Sequence, residues 1–273
     1  MNKTPRTVLI TGCSRGIGHH AAIALAQRGW RVFATTRDDA GRAALEGAGV
    51  QVATLDLLDG PEARVRAIIH GAGGIDALVA NAGYGLFGCF EDLDPDEWRQ
   101  QLEVNLFGTV ACARAALPSL RQRHGRLVVV GSIAGRRAAP GSSAYNCSKF
   151  ALEGWAEALR FELQPFGVPV VLVEPGLTQS GFHQARVRGR RVGIDAYGAI
   201  TRRLEALHKQ KEGQGAPVDT AVRSIIQALE HPSPPLRIFP TASARAEVLA
   251  PRLLPGAIYE RLVRAVLRLP RAD

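Results

Sequence analysis

The sequence predicts an α/β fold of the doubly wound kind, a parallel sheet with helices on both faces. Three observations predict it. Short apolar runs recur along the chain, stretches with apolar residues at helical spacing lie between them, and chemically distinctive residues fall just after the runs or at helix starts. Apolar runs without alternation suit strands buried on both faces. The first strand is Val8 to Ile10, followed by a turn with Gly12, Gly16 and Gly18. A helix with Ile17, Ala21, Ala22, Leu25 and Ala26 on one face comes next, and Val32, Phe33 and Ala34 begin the second strand. Val50 to Leu55 makes a third strand, Ala77 to Ala80 a fourth, Leu127 to Val130 a fifth and Val168 to Val173 a sixth.

Size and composition suit one domain of this kind. The chain has 273 residues, 46% of them hydrophobic, enough to fill a large core. Residues 1–240 are assigned to the α/β domain, with a less orderly stretch at about 177–216 inside it, and 241–273 to a helical extension. Cys13, Cys89, Cys112 and Cys147 show neither metal-ligand spacing nor a paired framework, so free thiols and no metal are expected. No run approaches about 20 apolar residues, and strand one follows the N-terminus directly, so a cytoplasmic protein is expected. The net charge of +9 comes from dispersed arginines with no DNA-reading motif, which argues against a nucleic-acid partner.

Two segments carry chemistry. The glycine-rich turn lets backbone approach a ligand and turns a helix N-terminus toward a pyrophosphate, although its G-x-x-x-G-x-G spacing departs from the usual dinucleotide fingerprint. In YNCSK, Tyr145 and Lys149 stand four residues apart on one helical face. A nearby ammonium favours the phenolate, so Lys149 is expected to lower the pKa of Tyr145. Cys147, between them, turns to another face.

With these segments in view, the chain resembles the short-chain dehydrogenase/reductase family over roughly residues 6 to 240, and its tail is similar to steroid- and retinol-directed members. The resemblance rests on ordered motifs: TGCSRGIG at 11–18, LDL at 55–57, NAG at 81–83, VNLFGT at 104–109, Ser132 in VVVGSIAG, YNCSK at 145–149 and EPG at 174–176. It implies a Rossmann-type sheet and a hydride moving between nicotinamide and a carbonyl carbon. Tyr145 is then the proton donor, Lys149 the group that binds the nicotinamide ribose, and Ser132 the hydroxyl that holds the substrate oxygen. Asn105 anchors a water linking Lys149 to solvent. The resemblance also assigns Gly12, Ser14, Arg15, Gly16, Ile17 and Gly18 to the cofactor turn. Asp56 and Leu57 border the adenine, Asn81, Ala82 and Gly83 line the cofactor, and Pro175, Gly176 and Thr178 lie along its carboxamide. A homodimer or homotetramer is implied, with the helices of Asn105 and of Tyr145 at the interface.

Cofactor choice is read at the end of strand two. Thr36 stands where NAD enzymes place a carboxylate, Arg37 follows it, and Arg15 could reach the same phosphate, so NADP is favoured over NAD. The competing reading gives the ribose to Asp38. Tyr84 and Phe87 are expected to touch substrate, together with the basic stretch 177–216. The arginines of that stretch, Arg186, Arg188, Arg190, Arg191, Arg202 and Arg203, suit either a solvated lid or a site for an anionic coenzyme A or carrier-protein phosphate. In the tail, Ile258, Leu262, Val266 and Leu269 form an apolar stripe, with Arg261, Arg264 and Arg268 on another face. Such a helix packs on its own domain or a partner subunit, or lies as a peripheral contact on an anionic membrane. The reading is an NADP-preferring oxidoreductase interconverting a lipophilic secondary alcohol and a ketone of steroid-, retinoid- or fatty-acyl-like character. Its alternatives are a 3-oxoacyl-thioester reductase and a non-catalytic NADP-binding sensor or scaffold.

Overall fold

The computed structural model describes residues 5–182, 186–191, 194–210 and 213–267. Its main sheet contains β1 (Thr7–Ile10), β2 (Arg31–Thr36), β3 (Gln51–Thr54), β4 (Ala77–Ala80), β5 (Arg126–Val130), β6 (Val170–Val173) and β7 (Arg237–Ile238). The strands run parallel in the order β7-β6-β5-β4-β1-β2-β3. The order reverses between β1 and β4, which opens a crevice beyond their carboxyl ends. The last strand was not anticipated from the sequence. It has two residues and lies close to Pro234, Pro235 and Pro240, too short to show a period.

The α-helices, in chain order, are α1 (Gly16–Gln27), α2 (Arg42–Gly47), α3 (Pro61–Gly71), α4 (Pro95–Leu102), α5 (Gly108–Arg123), α6 (Ser143–Leu163), α7 (Gly198–Gln210), α8 (Val218–Glu230), α9 (Ala242–Leu253) and α10 (Gly256–Leu267). Both sheet faces are covered. In β1, Val8 and Ile10 pack with Leu25 of α1 and Ile225 of α8, whereas Leu9 joins the opposite core with Val65, Leu120 and Leu152 of α3, α5 and α6. Two helices begin with proline at a position where the missing N–H costs nothing, α3 at Pro61 and α4 at Pro95. Between α4 and α5 the chain makes a π-turn, Glu103–Phe107, of the kind that often marks functional sites.

Helix α6 spans 21 residues and has two faces of different character. Ala144, Tyr145, Ser148, Lys149 and Leu152 are buried. Cys147, Phe150, Gly154, Ala158 and Phe161 recur at spacings of three or four and are all exposed. Phe150 is 45% and Phe161 68% exposed, a considerable apolar surface to leave in water.

Candidate active site

The turn after β1 presents backbone to the crevice. Gly12 and Gly16 have φ of +72° and +67°, conformations that L side chains rarely adopt. A Cβ at Gly12 would stand 2.6 Å from Ala82 Cα, and one at Gly18 would stand 2.4 Å from Asn81 Nδ2. Asn81 draws these segments together, its Nδ2 donating to the carbonyls of Thr11 and Gly12 at 2.9 Å each. Thr11 Oγ1 in turn accepts from the backbone N–H groups of Asn81 and Ala82. Gly18 is therefore a spacer behind the wall, while Gly12, Ser14, Arg15, Gly16 and Ile17 line the crevice.

The residues at the β2 end suit an anionic group. Helix α1 starts at Gly16 without a side-chain cap, leaving its first N–H groups available. Arg15 and Arg37 are exposed on the wall, and among the described residues neither guanidinium has a hydrogen-bond or ion-pair partner. Thr36 Oγ1 is buried with no partner. Asp38 Oδ1 instead accepts from the nearby Ala40 N–H at 3.1 Å. Asp56, Leu57, Asn81, Ala82, Gly83, Pro175, Gly176 and Thr178 also line this crevice.

Ser132, Tyr145 and Lys149 line the same crevice. Ser132 follows β5 in extended backbone, and its Oγ accepts from Ala134 N–H at 3.1 Å. Tyr145 and Lys149 are 8% and 6% exposed. The lysine Nζ donates to the Val130 carbonyl at 3.0 Å and lies 5.9 Å from the centroid of the tyrosine ring. Burial pushes the Tyr145 phenol up to about 12, with the Ser132 hydroxyl acting the other way. This corrects the expectation of a pKa lowered by Lys149: desolvation outweighs the one opposing influence, the Ser132 hydroxyl. Burial also pulls Lys149 down to about 8, opposed by the carboxylate of Glu153.

Asn105 stands behind this group, in the π-turn. Its Oδ1 accepts from Tyr84 N–H at 3.0 Å, and its Nδ2 donates to Tyr84 O at 2.9 Å and Ser148 Oγ at 3.1 Å. Ser148 Oγ donates to the Tyr145 carbonyl at 2.7 Å, so Asn105 reaches α6 through a serine that the sequence reading passed over. Two further residues missed there are Phe182, whose ring is 5.6 Å from that of Tyr145, and His208, 5.5 Å from Phe87. Phe87 lies 5.9 Å from Tyr145 on the cavity wall, where Tyr84 also stands.

The crevice is one cavity of about 1370 Å³. Ligand pockets commonly measure about 300–1,000 Å³, so this one has room for more than one molecule. Its lining includes the aliphatic side chains Leu204 and Leu207 of α7 and Leu262, Val263 and Val266 of α10. The extension thus packs on its own domain: Ala244 and Val248 of α9 cluster with Ile133, and α10 lies against α7 and α9. Arg268 and Leu269 of the expected amphipathic pattern lie outside the described residues.

The basic lid carries its own counter-charges. Val187–Arg188 pairs with Leu86–Phe87, Arg188 meets Glu205 at 2.8 Å, and Arg190 and Arg191 meet Asp94 at 3.3 and 2.5 Å. Glu97 accepts from Arg190 N–H at 3.1 Å. An anionic handle would have to displace these carboxylates, so the solvated-lid reading fits better than a phosphate site. Residues 183–185, 192–193 and 211–212 of this stretch lie outside the described residues.

Comparison with known proteins gives one family. The family model described as short chain dehydrogenase matches residues 6–191. The mouse protein named 17-beta-hydroxysteroid dehydrogenase type 1 is 35% identical over 254 residues, covering 87% of this chain and 74% of its own. A 3-ketodihydrosphingosine reductase of Bacteroides thetaiotaomicron is 33% identical over 239 residues, covering 85% and 87%. Among solved structures, a short chain dehydrogenase from Burkholderia cenocepacia in complex with NADP superposes with a TM-score of 0.74 at 26% identity, covering 99% of this chain and 100% of that one.

Proposed function

As a member of the short chain dehydrogenase family this chain is an oxidoreductase, and we propose that it interconverts a lipophilic secondary alcohol and a ketone with NADP as cofactor. The observation that carries this reading is the continuity of the cavity. One cavity is lined by the unpartnered Arg15 and Arg37, by Ser132, Tyr145 and Lys149, and by aliphatic side chains of α7 and α10. When bound, the nicotinamide cofactor supplies or accepts the hydride. Arg15 and Arg37 would hold the ribose phosphate that distinguishes NADP, while Asp38, on the same wall, has its Oδ1 engaged by the Ala40 N–H.

The protein's part is proton transfer and positioning. Tyr145, kept protonated by burial, gives its Oη proton to the carbonyl oxygen as that atom gains charge, and takes one back in oxidation. Ser132 Oγ donates a hydrogen bond to the same oxygen. Lys149 contributes a positive charge beside the site, and Asn105 braces the helix that bears both. A lipophilic substrate is supported by the aliphatic lining from α7 and α10 and by the two relatives above, both named for hydroxy or keto lipids. A thioester with an anionic carrier is less well supported, since Arg188, Arg190 and Arg191 already face carboxylates. A homodimer or homotetramer is supported by the exposed stripe of α6.

The test follows cofactor oxidation, with NADPH and with NADH, across ketosteroids, retinal, long-chain ketones and 3-oxoacyl thioesters. We expect turnover of a lipophilic ketone, faster with NADPH, that falls at least about 10²-fold in Tyr145→Phe. Turnover confined to thioesters, or unaffected by Tyr145→Phe, would overturn the reading.

A further inference from the structure

Behind Lys149 lies a buried ionic cluster with no assigned part in the chemistry above. Glu153, one turn further along α6, has its side chain 8% exposed. Its Oε2 meets Arg237 Nε of β7 at 3.0 Å and an Arg136 guanidinium nitrogen at 3.5 Å. Its Oε1 is buried without a hydrogen-bond partner. That free oxygen is 3.4 Å from where a Cβ would stand on Gly131. Gly131 follows Val130, whose carbonyl receives Lys149 Nζ. Glu174, fully buried, lies 3.3 Å from Arg237, and Glu157 pairs with the same arginine at the rim. Arg252 of α9 acts on Glu157 and Glu174.

We infer that Glu153 is a positioning residue for Lys149, a buried carboxylate one helical turn away and beside Gly131 that keeps the ammonium charged. Lys149 loses solvation in the site, and its hydrogen-bond partner is a neutral carbonyl. Of the carboxylates around it, Glu153 is the one that opposes its deprotonation. Burial pushes the Glu153 carboxyl up and Arg237 and Arg136 oppose it, while burial and the neighbouring Glu153 push Glu174 up to about 8. The role in catalysis rests on the reductase reading. The effect on Lys149 does not.

Only four lysines occur in the chain, at 3, 149, 209 and 211, so ¹³Cε-lysine NMR can follow Lys149 in the full-length protein, with Lys149→Met to assign its signal. The wild-type midpoint should lie near 8 and fall by about one pH unit in Glu153→Gln. Glu153→Asp, whose shorter stem withdraws the charge, should lie between them. An unmoved midpoint in folded Glu153→Gln overturns the inference, and if that variant does not fold, an unmoved midpoint in Glu153→Asp does so. Given turnover, the alkaline limb of kcat should move with the NMR midpoint. Wild type without turnover defeats the reductase reading alone, whereas turnover with an unmoved midpoint defeats Glu153 alone.

Discussion

Lys149 is an ammonium buried to 6% exposure with a single carbonyl as hydrogen-bond partner. Its folded pKa of about 8 lies below the ordinary value, so the charged form is disfavoured in the native state. Below about pH 8 folded and unfolded chains both carry the proton, and the desolvation cost is fully present. As pH rises from about 8 toward the unfolded value, the unfolded chain binds more protons and the cost is progressively relieved. Lys149→Met should therefore stabilise the fold by about 1–3 kcal/mol at pH 7, with the gain shrinking above pH 8, while turnover is lost. Denaturant titration at pH 7 and pH 9.5 checks this, and equal gains at both would contradict the linkage. The identity and spacing of Ser132, Tyr145, Lys149 and Asn105 were legible in the sequence. Their electrostatics were not, because the sequence shows Lys149 beside Tyr145 and gives no sign that both are buried, the tyrosine ring against Phe87 and Phe182.

Elements read from long apolar runs matched the structure, with small differences at their ends. The third strand stops at Thr54 rather than Leu55, and the sixth starts at Val170 because Pro169 precedes it with no N–H to give. What escaped was whatever depends on distant partners: the two-residue β7, the π-turn holding Asn105, and α10 as a wall of the cavity. An amphipathic helix shows which face is apolar and not what that face meets. Leu262 and Val266 lie on the cavity wall while 48% and 69% exposed, so the cavity is open to water on that side. Replacing both by Asp should raise KM for the lipophilic substrate about tenfold or more and leave the NADPH Kd unchanged, as separate titrations would show. An unaltered KM would remove α10 from the substrate site.

At the scale of the molecule, the exposed apolar stripe of Cys147, Phe150, Gly154, Ala158 and Phe161 calls for a cover. We expect an oligomer with α6 at its contact, and Phe150→Arg with Phe161→Arg should yield a smaller species in sedimentation velocity. An unchanged sedimentation coefficient would place the contact elsewhere. The same helix carries Tyr145 and Lys149 on its opposite face and is tied through Ser148 to Asn105. A rigid rod cannot shift on one side while staying fixed on the other. Separating the subunits by dilution should therefore cost specific activity, and an assay run at nanomolar enzyme would report a slower catalyst than one run at micromolar.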